Sequence, residues 1–584
     1  MSILDKIKLG STKVKTPWYK MYNNIPKHIN YPKGSLYDII KNTADKYPEY
    51  TAYSYYKKNK SYASFIKEIE NCAKAFKSIG VSKGDIVTIC MPNTPEAIIS
   101  FYALNKIGAI CNMIHPLSSE KEIEFYINNA KSNIIIAVDL VLNKINSIIN
   151  KTNLTTIILV SVSTSMDVKM KIAYYLTKGI KVKKTKCNFS YLTWNEFLNK
   201  SRLYKGKTKT PISAYDPAVI LYSGGTTGNP KGIILSNMNF NSLVFQDLAV
   251  CKRLLPGTSI LSVMPIFHGF GLGCTIHAAY AVGARTILLP SFKAKTFDTL
   301  LLKYHPNVIA GVPTIFEGLY NSPKLKNKDL SFLTCCICGG DTMSQTLKEQ
   351  IDQFLKDHNA KTKVRPAYGL TECTAGVCMT PVDSERKGSI GIPCPDTYIK
   401  IVAPNTHTEL PYMGEGEICV SGPTVMMGYL NEPKETALAL RKHDDGRIWL
   451  HTGDLGYMDE DGFVYFKQRL KRMIVSSGYN IYPSHIENII NTHPDVLTST
   501  VIGIDHPYKV QVAKAYIILK KGIEPSISVK RSIKEHCEKN IASYSLPYEY
   551  EFRKTLPTTL VGKVAYRKLL EEEQEKNNSK NNEV

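Results

Sequence analysis

The sequence predicts a large α/β domain followed by a small α+β domain. Three observations point there. Short apolar runs rich in β-branched residues alternate with segments of helical period, the length of 584 residues exceeds what one core supports, and beyond residue 496 the pattern changes to two long strand-like runs, a helix and a last strand. With 43% hydrophobic and 21% charged residues the chain is ordinary globular material, so large buried cores are expected.

Taken in order, Leu36, Ile39, Ile40, Thr43 and Tyr47 keep helical spacing after Ser35, and Phe65, Ile69, Cys72, Phe76 and Ile79 step by four and three. Both segments predict amphipathic helices. Residues 86–90 read as a strand, 95–107 as a helix and 109–114 as a second strand. Ser119 and Glu122 form a capping box for a helix reaching Asn129, followed by buried strands over 134–138 and 155–160. Repeated βα units of this kind imply a largely parallel sheet covered by helices on both faces. Near the other end, 463–466, 496–504 and 512–519 read as strands, 526–539 as a helix and the surroundings of Tyr550 as a strand, a set large enough to fold by itself. Residues 571–584 are polar and low in complexity, and read as a frayed tail.

Several function classes are disfavoured. The 14 cysteines are scattered, cluster only at Cys335, Cys336 and Cys338, and offer no paired CxxC zinc site, so buried reduced thiols in a cytoplasmic protein are expected. The first residues lack a secretory apolar core. The longest apolar candidate, 270–284, is Gly-rich, contains His277 and is shorter than the ~20 residues of a membrane span, which makes it a buried segment. A formal net charge of +23 attracts polyanions without selecting one, and nucleic acid is not expected as a partner. Residues 166–186 hold seven lysines and one acid among Ile, Ala, Tyr, Leu and Val. They read either as a solvated insertion or as a basic amphipathic helix touching the inner membrane surface from the cytoplasmic side.

The chemistry begins after the apolar run 218–221. Ser223, Gly224, Gly225, Thr226, Thr227, Gly228 and Lys231 combine backbone freedom, hydroxyl donors and one mobile cation, all suited to phosphate. The spacing is not that of an ordinary P-loop, because Asn229 and Pro230 precede the lysine and Gly232 follows it. This segment resembles the signature loop of the adenylate-forming superfamily, which groups acyl-CoA synthetases, luciferases and peptide synthetase adenylation domains. Further motifs follow in the family's order, and the likeness extends from about Trp18 to Leu569, with the opening around Trp18, Tyr22 and Pro26 similar to bacterial long-chain fatty acid CoA ligases.

The resemblance implies an α/β adenylate-forming fold over 1–471 and a small mobile α+β domain over 472–584. It also implies roles. In the segment 367–372, Tyr368 and Gly369 border the adenine, Thr371 touches the α-phosphate and Glu372 holds Mg²⁺, to which a hard carboxylate is suited. Gly340 and Asp341 lie between adenine and acyl tunnel, Asp454 accepts from the ribose hydroxyls with help from Arg469, and Gly311 and His268 line the acyl site, His268 as its gate. Ser477, Gly478 and Tyr479 serve the thioester step after rotation about a hinge at Arg472, and Lys563 is the adenylation lysine. Relatives carry Asp or Lys at the hinge position and Gly at the position of Gln468, so the hinge here departs from the pattern.

The expected reaction is ATP-dependent activation of a medium- or long-chain fatty acid to acyl-AMP, then thioester formation with coenzyme A. A ligase loading a carrier protein is the alternative within enzymes, and a non-catalytic basic membrane- or nucleic-acid-binding protein the alternative outside them.

Overall fold

A computed structural model of the chain describes residues 14–176, 190–223, 230–292, 296–476, 479–506, 509–541, 543–558 and 564–581. The chain divides into two compact units. The first holds Met1–Ile399, Val420–Leu450 and Asp461–Phe463; the second holds Lys400–Cys419, His451–Glu460 and Val464–Val584.

The first unit follows the sequence closely at the level of single elements. Helix Leu36–Lys46 starts at Ser35, whose hydroxyl accepts from the Asp38 amide while the Asp38 carboxylate accepts from the Ser35 amide, and it buries Leu36, Ile39, Ile40 and Thr43. Helix Tyr62–Ser78 buries Phe65, Ile69, Cys72 and Phe76. Ser119 and Glu122 box the start of helix Glu120–Asn129 as expected. Helix Pro95–Ile107 is buried all round, which is why its residues show no polar stripe. It stops at Gly108, in the left-handed region at φ 79°, where a side chain would meet the Lys83 Cγ at 2.9 Å.

The expected parallel sheet proves to be two. One has eight strands in the order Gly428–Tyr429, Lys231–Ser236, Pro217–Ser223, Ile110–Met113, Ile86–Cys90, Ile134–Val138, Thr156–Val160 and Leu192–Thr193, parallel from Pro217–Ser223 onward. The other has nine, in the order Ile392–Pro393, Gly376–Met379, Val364–Gly369, Cys335–Cys338, Val308–Gly311, Ser259–Ser262, Arg285–Leu288, Thr51–Tyr55 and Lys58–Ser61, parallel between Val364–Gly369 and Thr51–Tyr55 and antiparallel at both edges. Alternation of strand and helix reveals βα units but not which strands become neighbours. Cys335, Cys336 and Cys338 lie buried along one strand, so their clustering reflects strand packing. The apolar segment after Gly269 forms a π-helical turn, Phe270–His277, continued by Ala278–Val282, and most of it is buried.

Burial also places an acid where pH can act on it. Glu96 is 1% exposed, accepts from the Ser165 hydroxyl at 2.5 Å, and is pushed up to about 7 chiefly by burial. A carboxyl whose folded pKa lies above its unfolded one binds its proton more tightly in the native state, so stability falls as pH rises from about 4 through 7. Glu96→Gln is therefore expected to raise the melting temperature at pH 8.5 but hardly at pH 5, the difference corresponding to roughly 3 kcal/mol. Calorimetry of both proteins at the two pH values checks this, and equal shifts at both would contradict it.

In the second unit, Tyr479–Ile481, Ile474–Ser476, Val510–Leu519 and Val496–His506 form an antiparallel sheet that Glu549–Phe552 joins in parallel beside Val510–Leu519. Helices Pro483–Ile490 and Ile527–Asn540 contribute Ile486, Ile490, Ile533 and Cys537 to its core. The polar end of the chain corrects the sequence reading. Instead of a frayed tail, Tyr566–Asn581 is a helix with Leu569 fully buried against Ile502 and Tyr516. One turn on, Glu573 accepts from Lys514 Nζ at 2.9 Å and from the Tyr516 hydroxyl at 2.8 Å, and Arg553 pairs with Glu572 at 2.6 Å. Leu569 and Glu573 share a face at i, i+4, but the partners that make that face useful lie far back in the chain.

Candidate active site

The strands flanking the glycine-rich segment are paired with each other. Strand Pro217–Ser223 runs antiparallel to Lys231–Ser236, with Ser223 opposite Lys231, so the two ends of the segment between them are side by side. Gly224, Gly225, Thr226, Thr227 and Gly228 fall outside the described residues. A strand on each side of the loop differs from the strand-to-helix turn of a P-loop, in keeping with the sequence spacing.

Lys231 and Glu372, separated by the whole first half of the site, are drawn to one short segment. Lys231 Nζ pairs with the Glu435 carboxylate and lies 5.0 Å from the centre of the Tyr429 ring. The Tyr429 hydroxyl donates to Glu372 Oε1 at 3.1 Å, and the Met426 amide donates to the Glu372 carbonyl at 2.8 Å. Tyr429 reaches this place because Gly428–Tyr429 adds to the sheet beside Lys231–Ser236, with Tyr429 opposite Ile233. Burial first, and then the Glu372 and Glu435 carboxylates, hold the Tyr429 hydroxyl protonated. Sequence reading missed Tyr429 and Glu435. A two-residue strand carries no periodicity, and only the Gly-Tyr pair after an apolar run hinted at it.

The remaining positions gather at the carboxyl ends of neighbouring parallel strands, where ligands of open α/β sheets bind. Gly311 ends one strand, and its carbonyl accepts from the Gly339 amide at 3.0 Å, which fixes the turn carrying Gly340, at φ 79°, and Asp341. Tyr368 and Gly369 end the strand on the far side of Cys335–Cys338. A Cβ on Gly369 would fall 1.5 Å from the Ala375 carbonyl oxygen, so no other residue fits that turn; Thr371 and Glu372 follow it. The Thr374 carbonyl approaches Gly269 equally closely, which brings the segment of His268 against the same turn. His268 Nδ1 accepts from the Phe270 amide at 3.2 Å, so when neutral the ring carries its proton on Nε2.

The second unit supplies its own set. Asp454 and Arg469 face each other across adjacent antiparallel strands, with Arg469 Nε 3.5 Å from Asp454 Oδ1, and Asp454 is 4% exposed. The turn before Asp454 is tightly held. The Thr452 hydroxyl accepts from the Asp454 amide and donates to the Ile418 carbonyl, and Glu417 accepts from the Gly453 amide through one oxygen while its other lies 2.8 Å from His451 Nδ1. Glu417 and His451 were not legible as supports, since their pairing arises from strand register alone. Gln468 is 1% exposed and its side-chain amide makes no hydrogen bond among the described residues.

Arg472 is tied within the second unit. Its Nη2 lies 2.6 Å from Glu487 Oε1 and donates to the Val501 carbonyl, and its guanidinium stacks 3.8 Å over the Tyr566 ring. Ser477, Gly478 and Lys563 lie outside the described residues, and Tyr479 begins a strand opposite Ser476. Thr558 bridges Val564 in antiparallel fashion, so the segment bearing Lys563 is closed at its base.

Comparison with known proteins gives the family to which the chain belongs. Residues 40–430 match the family described as AMP-binding enzyme, and residues 485–563 match its C-terminal domain. The chain is 33% identical over 572 residues to a long-chain-fatty-acid–CoA ligase of Bacillus subtilis, covering 97% of this chain and 99% of the relative. A long-chain-fatty-acid–CoA ligase of Escherichia coli O6:H1 is 28% identical, with 96% and 98% covered. Among solved structures, ATP-bound MatB from Rhodopseudomonas palustris superposes with a TM-score of 0.79 at 23% identity, over 93% of this chain and 99% of that one, a likeness of fold. Matched over most of its length by the family and end to end by the Bacillus relative, the chain belongs to the AMP-binding enzymes.

Proposed function

We propose that this protein is an AMP-forming acid–CoA ligase that activates a medium- or long-chain fatty acid with ATP and transfers the acyl group to coenzyme A. The observation that carries the reading is the convergence of Lys231 and Glu372 on Tyr429 and Glu435 at the phosphate-loop hairpin. The acid and the thiol are suggested by the relatives' names, long-chain-fatty-acid–CoA ligase.

In the first step a carboxylate oxygen attacks the α-phosphorus of ATP, the bond to the β-phosphate oxygen breaks, and pyrophosphate leaves with its electron pair. Repulsion between anions is the main barrier, so positioning and charge neutralisation dominate. Lys563 would sit between carboxylate and α-phosphate, the loop Ser223 to Lys231 would hold the leaving pyrophosphate, Thr371 would donate to the α-phosphate, and Asp454 with Arg469 would hold the ribose. Glu372 fits Mg²⁺. One of its oxygens is oriented by Tyr429 and the other accepts no hydrogen bond among the described residues. When bound, that ion would neutralise phosphate charge. In the second step the thiol attacks the acyl carbon, its proton leaves, and AMP departs. We place the hinge for exchanging Lys563 with Ser477, Gly478 and Tyr479 at Arg472, with the mobile domain over 472–584. Acid-dependent ATP–pyrophosphate exchange, followed by thioester formation with free coenzyme A across acids of increasing length, tests the reading. Exchange that proceeds only to a carrier-protein thioester would replace coenzyme A as acceptor, and its absence with every acid would defeat the reading.

We also infer a peripheral membrane contact through residues 166–186. Helix Val168–Tyr174 and the two residues after it leave Val168, Ile172, Tyr175 and Leu176 exposed beside Lys169 and Lys171, while residues 177–186 are outside the described set. No helix among the described residues is long and apolar enough to cross a membrane. Cosedimentation with anionic vesicles is expected to fall at least several-fold on Ile172→Glu, since one buried apolar side chain contributes roughly 2 kcal/mol. Undiminished sedimentation would remove the contact.

A further inference from the structure

Away from every residue placed in the active site, a cleft of about 850 Å³ lies between the helix Gln345–Asp357, the beginning of the strand Val364–Gly369 and the segment 380–387. Its volume suits a small-molecule ligand. Its lining holds seven lysines and arginines against three carboxylates. Those carboxylates are already engaged by cations of the same wall. Lys348 pairs with Asp352 at 2.7 Å and with Glu385, and Lys387 pairs with Glu349 at 2.9 Å. Asp352 in addition accepts from the Val364 amide at 2.7 Å.

What is left over is positive. Arg253, Lys356 and Lys361 make no salt bridge among the described residues. The decisive group is Arg365. It is 7% exposed, it lines the cleft, its side chain has no hydrogen bond or ion pair among the described residues, and its Nη1 is enclosed without an acceptor. A guanidinium withdrawn from water without a carboxylate is costly, and its planar fork matches a phosphate or carboxylate bidentately. An enclosed cation in a wall whose acids are already paired calls for a negative charge from outside the chain.

We propose that this cleft binds a phosphorylated anion, with Arg365 as its buried anchor and the exposed Lys361, Lys363 and Lys387 around its mouth. The chemistry recognised is the phosphate ester group, which reaches the site either on a soluble metabolite or on the headgroup of an anionic lipid. The site is separate from the phosphate loop, and its occupancy does not depend on the ligase reading.

Phosphorus NMR line broadening of inorganic phosphate with the full-length chain tests the assignment. Arg365→Met and the surface double variant Lys361→Glu/Lys363→Glu are each expected to weaken phosphate binding roughly tenfold or more, the effect of losing charge-assisted contacts. Lys231→Ala, which alters the phosphate loop, is expected to leave in place the part of the binding that depends on Lys361 and Lys363. Thermal melts accompany each variant, and the double variant, confined to exposed side chains, keeps the test decisive should Arg365→Met unfold. Phosphate affinity unchanged in the double variant, or lost in Lys231→Ala alone, would overturn the proposal. Vesicles with and without phosphatidate, tested with Ile172→Glu present throughout, separate the sources. Sedimentation that depends on phosphatidate and on Lys361 and Lys363 supports a lipid headgroup, whereas phosphate binding without sedimentation supports a soluble ester.

Discussion

Lys563→Ala is expected to lower acid-dependent ATP–pyrophosphate exchange by roughly 10²–10³-fold, the scale on which removal of one preorganised charge acts. The same variant is expected to convert externally supplied acyl-adenylate and coenzyme A to thioester within a few-fold of the unaltered protein. The separation follows from the roles assigned. In the first step two anions are pressed together and a lysine between them is needed only while charge builds up on the α-phosphate. In the second the attacking group is a thiol, and the segment bearing Lys563 has to be elsewhere. The base of that segment is closed by the Thr558 to Val564 bridge, so the substitution should remove the ammonium without releasing the loop. Comparable loss in both half-reactions would show that Lys563 acts on folding or on both steps.

Glu372→Gln is the second large effect. An amide of the same shape can still accept from Tyr429, so the network reaching to Lys231 and Glu435 should survive. What is lost is a full negative charge where Mg²⁺ is proposed to bind. Exchange is expected to fall roughly 10²-fold, with the magnesium titration displaced to higher concentration. Tyr429→Phe supplies the contrast. It leaves the carboxylate charge intact but unoriented, and a loss of about fivefold is expected, the worth of one hydrogen bond. An unchanged magnesium midpoint in Glu372→Gln would take the metal away from this residue.

The sequence was most legible where local physics decides. Ser119 with Glu122 announced a capping box, and Leu36, Ile39, Ile40 and Thr43 announced a buried stripe, because both depend on residues three and four apart. The division into two sheets was not legible, since the order in which Cys335–Cys338 or Pro217–Ser223 finds its neighbours is set by crossovers rather than by the strands themselves. Motifs gave the ends of the site, but not what joins them. Tyr429, from a strand two residues long, and Glu435, from the short helix Pro433–Ala439 after it, connect Lys231 to Glu372, and both elements are too short for any pattern. Glu417 and His451 buttress Asp454 through register in the same way. The end of the chain was misread for a related cause, because the cations that give Glu572 and Glu573 a purpose lie earlier in the chain, Lys514 on the strand Val510–Leu519 and Arg553 just after the strand Glu549–Phe552.

That closing helix has a practical corollary. Glu573 is held down to about 2 despite its burial, by hydrogen bonds from Lys514, Lys576 and Tyr516. A depressed carboxyl lends its full support above the ordinary range near 4.5 and loses it progressively as pH falls from there to about 2. The clasp is therefore indifferent to pH in neutral and mildly acidic buffers, above the ordinary carboxyl range. Trimming the chain before Tyr566 would strip Lys514 of one of its three carboxylates and uncover Tyr516, so an expression boundary belongs beyond the helix rather than ahead of it.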